Sequence, residues 1–141
     1  MKFDIVLVLD PEAADEQAVF DGLLAFNIRN APRPTGQQPF AVLVRDPVTG
    51  ETLGGLTGKE MFDWLYINLF HLPETLRGDG LGTRVMARAE AFARERGLVG
   101  IWLDTFAFQA RGFYEKLGYE VFGELNDFPR GSSRYFLRKY L

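Results

Sequence analysis

Apolar residues along this chain follow two rhythms, and the changes between them divide it into elements. Phe3 to Leu9 is rich in Ile, Val and Leu and reads as a strand. Asp10-Pro11-Glu12 reads as a helix start, with Asp as N-cap and Pro at the first helical position. Ala14, Val19, Leu23 and Phe26 then lie roughly on one side of a helix that fades near Asn30. Ala31 to Gln38, with Pro32, Pro34 and Gly36, is a loop. Phe40 to Arg45 is a strand, Asp46 to Gly50 a turn, and Leu53 to Lys59 its hairpin partner. Gly54, Gly55 and Gly58 weaken that partner and point to a bulge or a close approach. Trp64 to Leu72 alternates. Leu65, Ile67 and Leu69 form one face, read as core, and His71 falls with them. Trp64, Tyr66, Asn68 and Phe70 form the other, an aromatic, part-polar face that suits either a ligand cleft or a covering helix.

Further on, Leu81, Val85, Ala89, Phe92 and Ala93 share one face of a helix from Gly80 to Arg96, stopped by Gly97. Val99 to Phe106 is a strand, Gln109 to Leu117 a short helix stopped by Gly118, and Tyr119 to Glu124 a strand. Leu125 to Ser132 is a loop and Ser133 to Tyr140 a last strand. The order predicts the α/β class: a mixed sheet of six to seven strands flanked by helices. Strand–helix–strand units need parallel neighbours, and ligands collect where such neighbours part.

Composition narrows the picture. The 141 residues fit one domain, residues 1–141, and 47 % hydrophobic content with 13 Phe supplies a core. A net charge of −3 and a sequence pI near 5.2 argue against a nucleic-acid surface. There is no cysteine, so disulfides, thiolate metal sites and cysteine nucleophiles are out; no metal is expected. No stretch reads as a signal peptide or reaches the length of a membrane span, so a cytoplasmic protein without membrane contact is expected.

The segment from Leu72 to Arg96 carries the candidate chemistry. A strand, a glycine-studded turn and a helix start make an anion site. The first helical amides lack partners, the dipole is positive there, and glycines admit a bulky phosphate. A Walker loop is excluded, because Gly82 precedes Thr83 and Arg84 rather than Lys and Ser/Thr. A dinucleotide fingerprint starting at Gly78 needs a glycine where Thr83 stands. What remains is Arg-x-x-Gly-x-Gly: Arg77, Gly80 and Gly82. A capping glycine turn without a ligand is the plain alternative. The pattern resembles the coenzyme A-binding segment of the GNAT acyltransferase superfamily. A second segment, Gly112-Phe113-Tyr114-Glu115-Lys116-Leu117-Gly118-Tyr119, about thirty residues on, is similar to one near the C-terminus of many GNAT proteins.

The resemblance implies transfer of an acetyl group from acetyl-coenzyme A to an amine of a small molecule or peptide, and a GNAT-like fold that often dimerises. It implies that the backbone amides of Arg77, Gly78, Asp79, Gly80, Leu81, Gly82 and Thr83 hold the pyrophosphate. Leu72 ends the strand that pairs with the pantetheine arm and would aim an amide at the thioester carbonyl. Tyr114 matches the frequent general acid. A phenol titrates near ~10 and a thiol near ~8.5, so a phenol stays protonated at neutral pH and can supply the departing thiolate. A core tyrosine beside Phe113 and Leu117 is the alternative. Ala107 stands where the family often has Asn, leaving Gln109 to take that place.

An amine acceptor is mostly ammonium at neutral pH and must lose a proton. Glu60, Asp63, His71 and Asp104 are the candidate bases. None is singled out: alternation puts His71 on the core side, Asp104 could cap the next helix, and direct attack with water carrying the proton is the default. A non-catalytic acyl-coenzyme A sensor of the same fold, and a plain interaction domain, stay open.

Overall fold

The computed structural model describes residues 2–32 and 36–141. It divides into two compact units, Met1–Pro34 and Thr35–Leu141. In the first, helix α1 spans Ala13–Asn30 with Glu12 as N-cap. The helix therefore starts later than Asp10-Pro11 suggested. Asp10 has φ 53°, whereas an N-cap takes extended backbone. Residues 2–9 form no strand, which corrects the reading of Phe3–Leu9. A run of β-formers satisfies its backbone only by pairing, and pairing is not encoded in the run itself.

The second unit holds six strands. These are β1 (Gln38–Arg45), β2 (Thr52–Met61), β3 (Trp64–His71), β4 (Gly100–Phe106), β5 (Glu120–Asn126) and β6 (Ser133–Tyr140). Helix α2 (Leu81–Glu95) lies between β3 and β4, and α3 (Arg111–Lys116) between β4 and β5. The sheet order is β1-β2-β3-β4-β6-β5. Only β3 and β4 are parallel, joined through α2; the other neighbours are antiparallel. The mixed sheet with flanking helices is the expected one.

One face of the sheet holds the core. Val85, Met86, Ala89 and Ala93 of α2 are buried at helical spacing and pack on Leu56, Leu65, Ile67, Ile101, Leu103 and Leu137. Both helices stop for the same reason. At the end of α2, Gly97 takes φ 68°, its amide reaches the Arg94 carbonyl, and the Leu98 amide reaches Ala93. At the end of α3, Gly118 takes φ 94° and the Tyr119 amide bonds the Tyr114 carbonyl at 3.1 Å.

Strand β3 departs from simple alternation. The β2–β3 register shifts between Thr57 and Gly58, so that Thr57 faces Leu69 and Gly58 faces Ile67, leaving Asn68 as the extra residue of a bulge. Side chains therefore change sides halfway along the strand. Leu65 and Ile67 are buried, but Leu69 is 64 % exposed, and Phe70 and Leu72 turn to the core instead. This corrects Leu69 as core, Phe70 as part of the opposite face, and His71 as a core-side residue; His71 is exposed. The expected close approach in β2 is present. A methyl group on Gly58 would run into the Tyr66 carbonyl, and one on Gly54 would lie 2.6 Å from the His71 carbonyl.

Candidate active site

Strands β3 and β4 pair only from Trp64–Ile67 to Gly100–Leu103. Beyond that, β3 stays with β2 and β4 stays with β6, so the sheet opens into two halves at the C-terminal ends of its parallel pair. Asn68 to His71 line one side of the opening and Asp104 to Phe106 the other. Such a parting of parallel neighbours is where α/β sheets take ligands.

The turn before α2 sits at the end of β3. A 3-10 turn at Glu74–Leu76 leads into it, and the Arg77 amide is used there, donating to the Glu74 carbonyl at 3.2 Å. Arg77 acts through its side chain as well: its Nε donates to the Leu72 carbonyl at 2.8 Å, tying the turn to the end of the strand. From Gly78 to Thr83 the amides donate to no acceptor among the described residues; the next, Arg84, donates to Gly80 at 3.1 Å. Gly78 and Gly80 take φ 98° and 75°, and a Cβ on either would meet nothing within 4 Å. Six consecutive amides, from Gly78 to Thr83, are thus without an internal acceptor among the described residues at a helix N-terminus, with open space beside Gly78 and Gly80. Gly82 differs: its Cβ would lie 3.2 Å from the Phe113 ring and 3.7 Å from Leu72, so its small size seats α2 against α3. Leu72 is buried and immobilised through both its side chain and its carbonyl.

Tyr114 is 7 % exposed and enclosed by the rings of Phe70, Phe113 and Tyr119. Its hydroxyl has no hydrogen-bond partner among the described residues. Burial, and secondarily the charge of Asp104, push its pKa up to about 12. Phe70, on one lip of the opening, packs against the Tyr114 ring, and the charge of Asp104 on the other lip reaches its hydroxyl. The other buried tyrosine is committed elsewhere. Tyr119 donates to Glu90 Oε1 at 3.0 Å, and Lys139 Nζ bonds the same oxygen at 2.9 Å and the Leu117 carbonyl at 2.8 Å.

The candidate bases separate. Glu60 is clasped by Arg96 at 2.7 and 3.0 Å, which holds its carboxyl below the ordinary range. Asp63 sits in the β2–β3 turn at φ 67°, and its carbonyl receives the Val99 amide. Asp104 does not cap α3; it pairs with Arg134 across the sheet at 2.6 Å. That pairing spans thirty positions and left no mark in the local sequence. Gln109 does not reach towards the opening. Its Oε1 accepts from the Phe106 amide at 2.9 Å and the Thr105 hydroxyl at 3.2 Å, bracing the β4–α3 loop. Among the described residues no group of three potential metal ligands gathers, and no helix is long and apolar enough to cross a membrane.

The sequence and the fold match known proteins. The acetyltransferase (GNAT) family description fits residues 10–119. An acetyltransferase of Agrobacterium fabrum is 34 % identical over 139 residues, covering 99 % of this chain and 98 % of the relative. Blasticidin-S acetyltransferase of Streptomyces morookaense is 43 % identical over 93 residues, 65 % of this chain and 68 % of the relative. The crystal structure of an acetyltransferase from Bacillus cereus superposes with a TM-score of 0.86 at 28 % identity, covering 96 % of this chain and 98 % of that one. The chain belongs to the GNAT family of acetyltransferases.

Proposed function

We propose that this acetyltransferase moves an acetyl group from acetyl-coenzyme A to a primary amine of a small molecule, by direct attack with both substrates bound. The observation that carries the reading is Tyr114: a buried phenol with no hydrogen-bond partner among the described residues, packed against Phe70 at the lip of the opening. An unsatisfied buried hydroxyl costs about 1–3 kcal/mol, a cost that a ligand atom would relieve. The free amides from Gly78 to Thr83 suit a diphosphate, and the Leu72 amide is the donor for the carbonyl oxygen. The donor supplies an activated thioester carbonyl. Attack forms the C–N bond, the C–S bond breaks, and Tyr114 gives its proton to the sulfur. The acceptor ammonium loses one proton to water before attack, and the proton shed by the nitrogen after attack returns through water to Tyr114.

A small-molecule acceptor is favoured by the similarity to a blasticidin-S acetyltransferase. The test is thiol release from acetyl-coenzyme A with an amine panel that includes blasticidin S. Amine-dependent release supports the reading; none with any amine, while coenzyme A still raises the Tm, selects a non-catalytic acyl-coenzyme A-binding subunit. The ion pairs that occupy Glu60 and Asp104 are what keep that second reading in play.

A further inference from the structure

Asp104 is bonded unevenly. Its Oδ1 accepts from Arg134 Nε at 2.9 Å and lies 2.6 Å from Nη2 in the same ion pair. Among the described residues its Oδ2 receives only the Tyr66 hydroxyl, at 3.2 Å, and that hydroxyl is also 3.4 Å from Asn68 Oδ1. A carboxylate accepts about four hydrogen bonds, and good O–H···O bonds run near ~2.7–2.8 Å, so Oδ2 is under-used. The side chain is 11 % exposed and stands where β4 leaves β3, on the sheet face opposite the α2–α3 core. Arg134 does not cancel its field there. The guanidinium is held on the Oδ1 side between the rings of Phe106, Phe128 and Phe136, at 5.0–5.3 Å. Burial first and Asp104 second push the Tyr66 hydroxyl up, against a smaller lowering by Arg134, and the charge of Asp104 adds to the effect of burial at Tyr114. The Tyr66 ring stacks on Trp102 at 4.2 Å and forms a flat wall beside the free oxygen.

We propose that Asp104 Oδ2 is the anchor for the acceptor's ammonium group, with Arg134 as the positioning residue that fixes the carboxylate and Tyr66–Trp102 as the wall along the acceptor's chain. The inference deepens the amine-transfer reading by naming the group that selects a cation, and it assigns no proton transfer to Asp104. An entering ammonium completes the vacant lone pairs of Oδ2, while Tyr66 competes weakly for the same oxygen.

The test does not depend on turnover. In a Trp64→Phe background Trp102 is the remaining tryptophan and reports on the site. Titration with n-butylammonium should change its emission saturably, and n-butanol should not. Asp104→Asn should weaken butylammonium binding about 10–100-fold, the range for a hydrogen bond to a charged group. Tyr66→Phe keeps the ring stack and frees Oδ2, so it should tighten binding about two- to fivefold; a merely structural Asp104–Tyr66 contact predicts loss instead. If Asp104→Asn does not fold, the Tyr66→Phe direction decides. An equal response to butanol, no saturation, unchanged affinity in Asp104→Asn or weaker affinity in Tyr66→Phe overturns the anchor. Thiol release without an ammonium site would overturn this inference and leave amine transfer standing; an ammonium site without thiol release would do the reverse.

Discussion

At the scale of single residues, Tyr114 and Gly80 separate chemistry from scaffolding. Tyr114→Phe keeps the ring contacts and removes the proton. Turnover should fall about 10²–10⁴-fold, the usual contribution of a positioned acid, with coenzyme A affinity nearly unchanged; steady-state kinetics beside a binding isotherm check this, and equal loss of both would make Tyr114 a packing residue. The same substitution has a signature in stability. The folded-state pKa, pushed up to about 12, lies above the unfolded phenol near ~10. The folded protein therefore holds the proton more tightly. Stability from this group is full below pH ~10 and is lost as pH rises through about 12, by roughly 2–3 kcal/mol. Thermal melts between those limits should decline less steeply for Tyr114→Phe than for wild type. Tyr119 is shifted in the same direction, so some decline remains. Gly80 and Gly82 make a contrasting pair. Gly80→Val places branches in the open space before the free amides and strains an αL position, so coenzyme A affinity should drop at least about tenfold with about 1–2 kcal/mol of destabilisation. Gly82→Ala presses on the Phe113 ring, so it should lower the Tm more than the affinity. Calorimetric titration and melting of the two variants give the comparison.

At the scale of elements, most of the second unit was legible because its signals are local. Gly97 and Gly118 mark helix ends through a left-handed residue, and the α2 stripe Val85–Ala89–Ala93 shows which face is buried. The β2 glycines point to a bulge or a close approach, and the register does shift beside Gly58, but the extra residue is Asn68 on β3, where a trace of it exists. Core positions on β3 run Leu65, Ile67, Phe70, Leu72, and the step of three in a period of two is the extra residue. Reading strict alternation through it sent Phe70 and His71 to the wrong sides. The residues 2–9 failed for a different reason: β-propensity says what a segment tolerates, not whether a partner strand lies alongside it. The Lys139–Glu90–Tyr119 cluster was equally invisible, since it joins β6, α2 and the residue before β5 across 49 positions. It should matter to stability alone. Lys139→Met leaves the nearly buried Glu90 carboxylate and the Leu117 carbonyl short of a donor, at about 1–3 kcal/mol. Denaturant melts should show that loss while coenzyme A affinity holds.

At the scale of the second unit as a whole, the sheet is two three-stranded halves joined along only four residue pairs between β3 and β4. The covering layer supplies the remaining connection: α2 and α3 pack on core residues from both halves, and Phe70 meets Phe113 and Tyr114 across the opening. The ligand side of the unit is thus the side with the fewest main-chain bonds, and local opening there is expected to be easier than in either half. A donor that bonds the amides from Gly78 to Thr83 and lies along the free edge of β3 would replace missing ladder bonds and satisfy Tyr114 at once. Binding restricted to the folded state stabilises by about 2.7 kcal/mol at a hundredfold excess over Kd. Coenzyme A should therefore raise the Tm of the full chain and, in amide hydrogen exchange, protect Asn68–Leu72 and Gly78–Thr83 more than β1 or β5. Gly80→Val should diminish both effects in step with its lost affinity. Protection spread evenly over the sheet would mean that the ligand stabilises the fold without occupying the opening between β3 and β4.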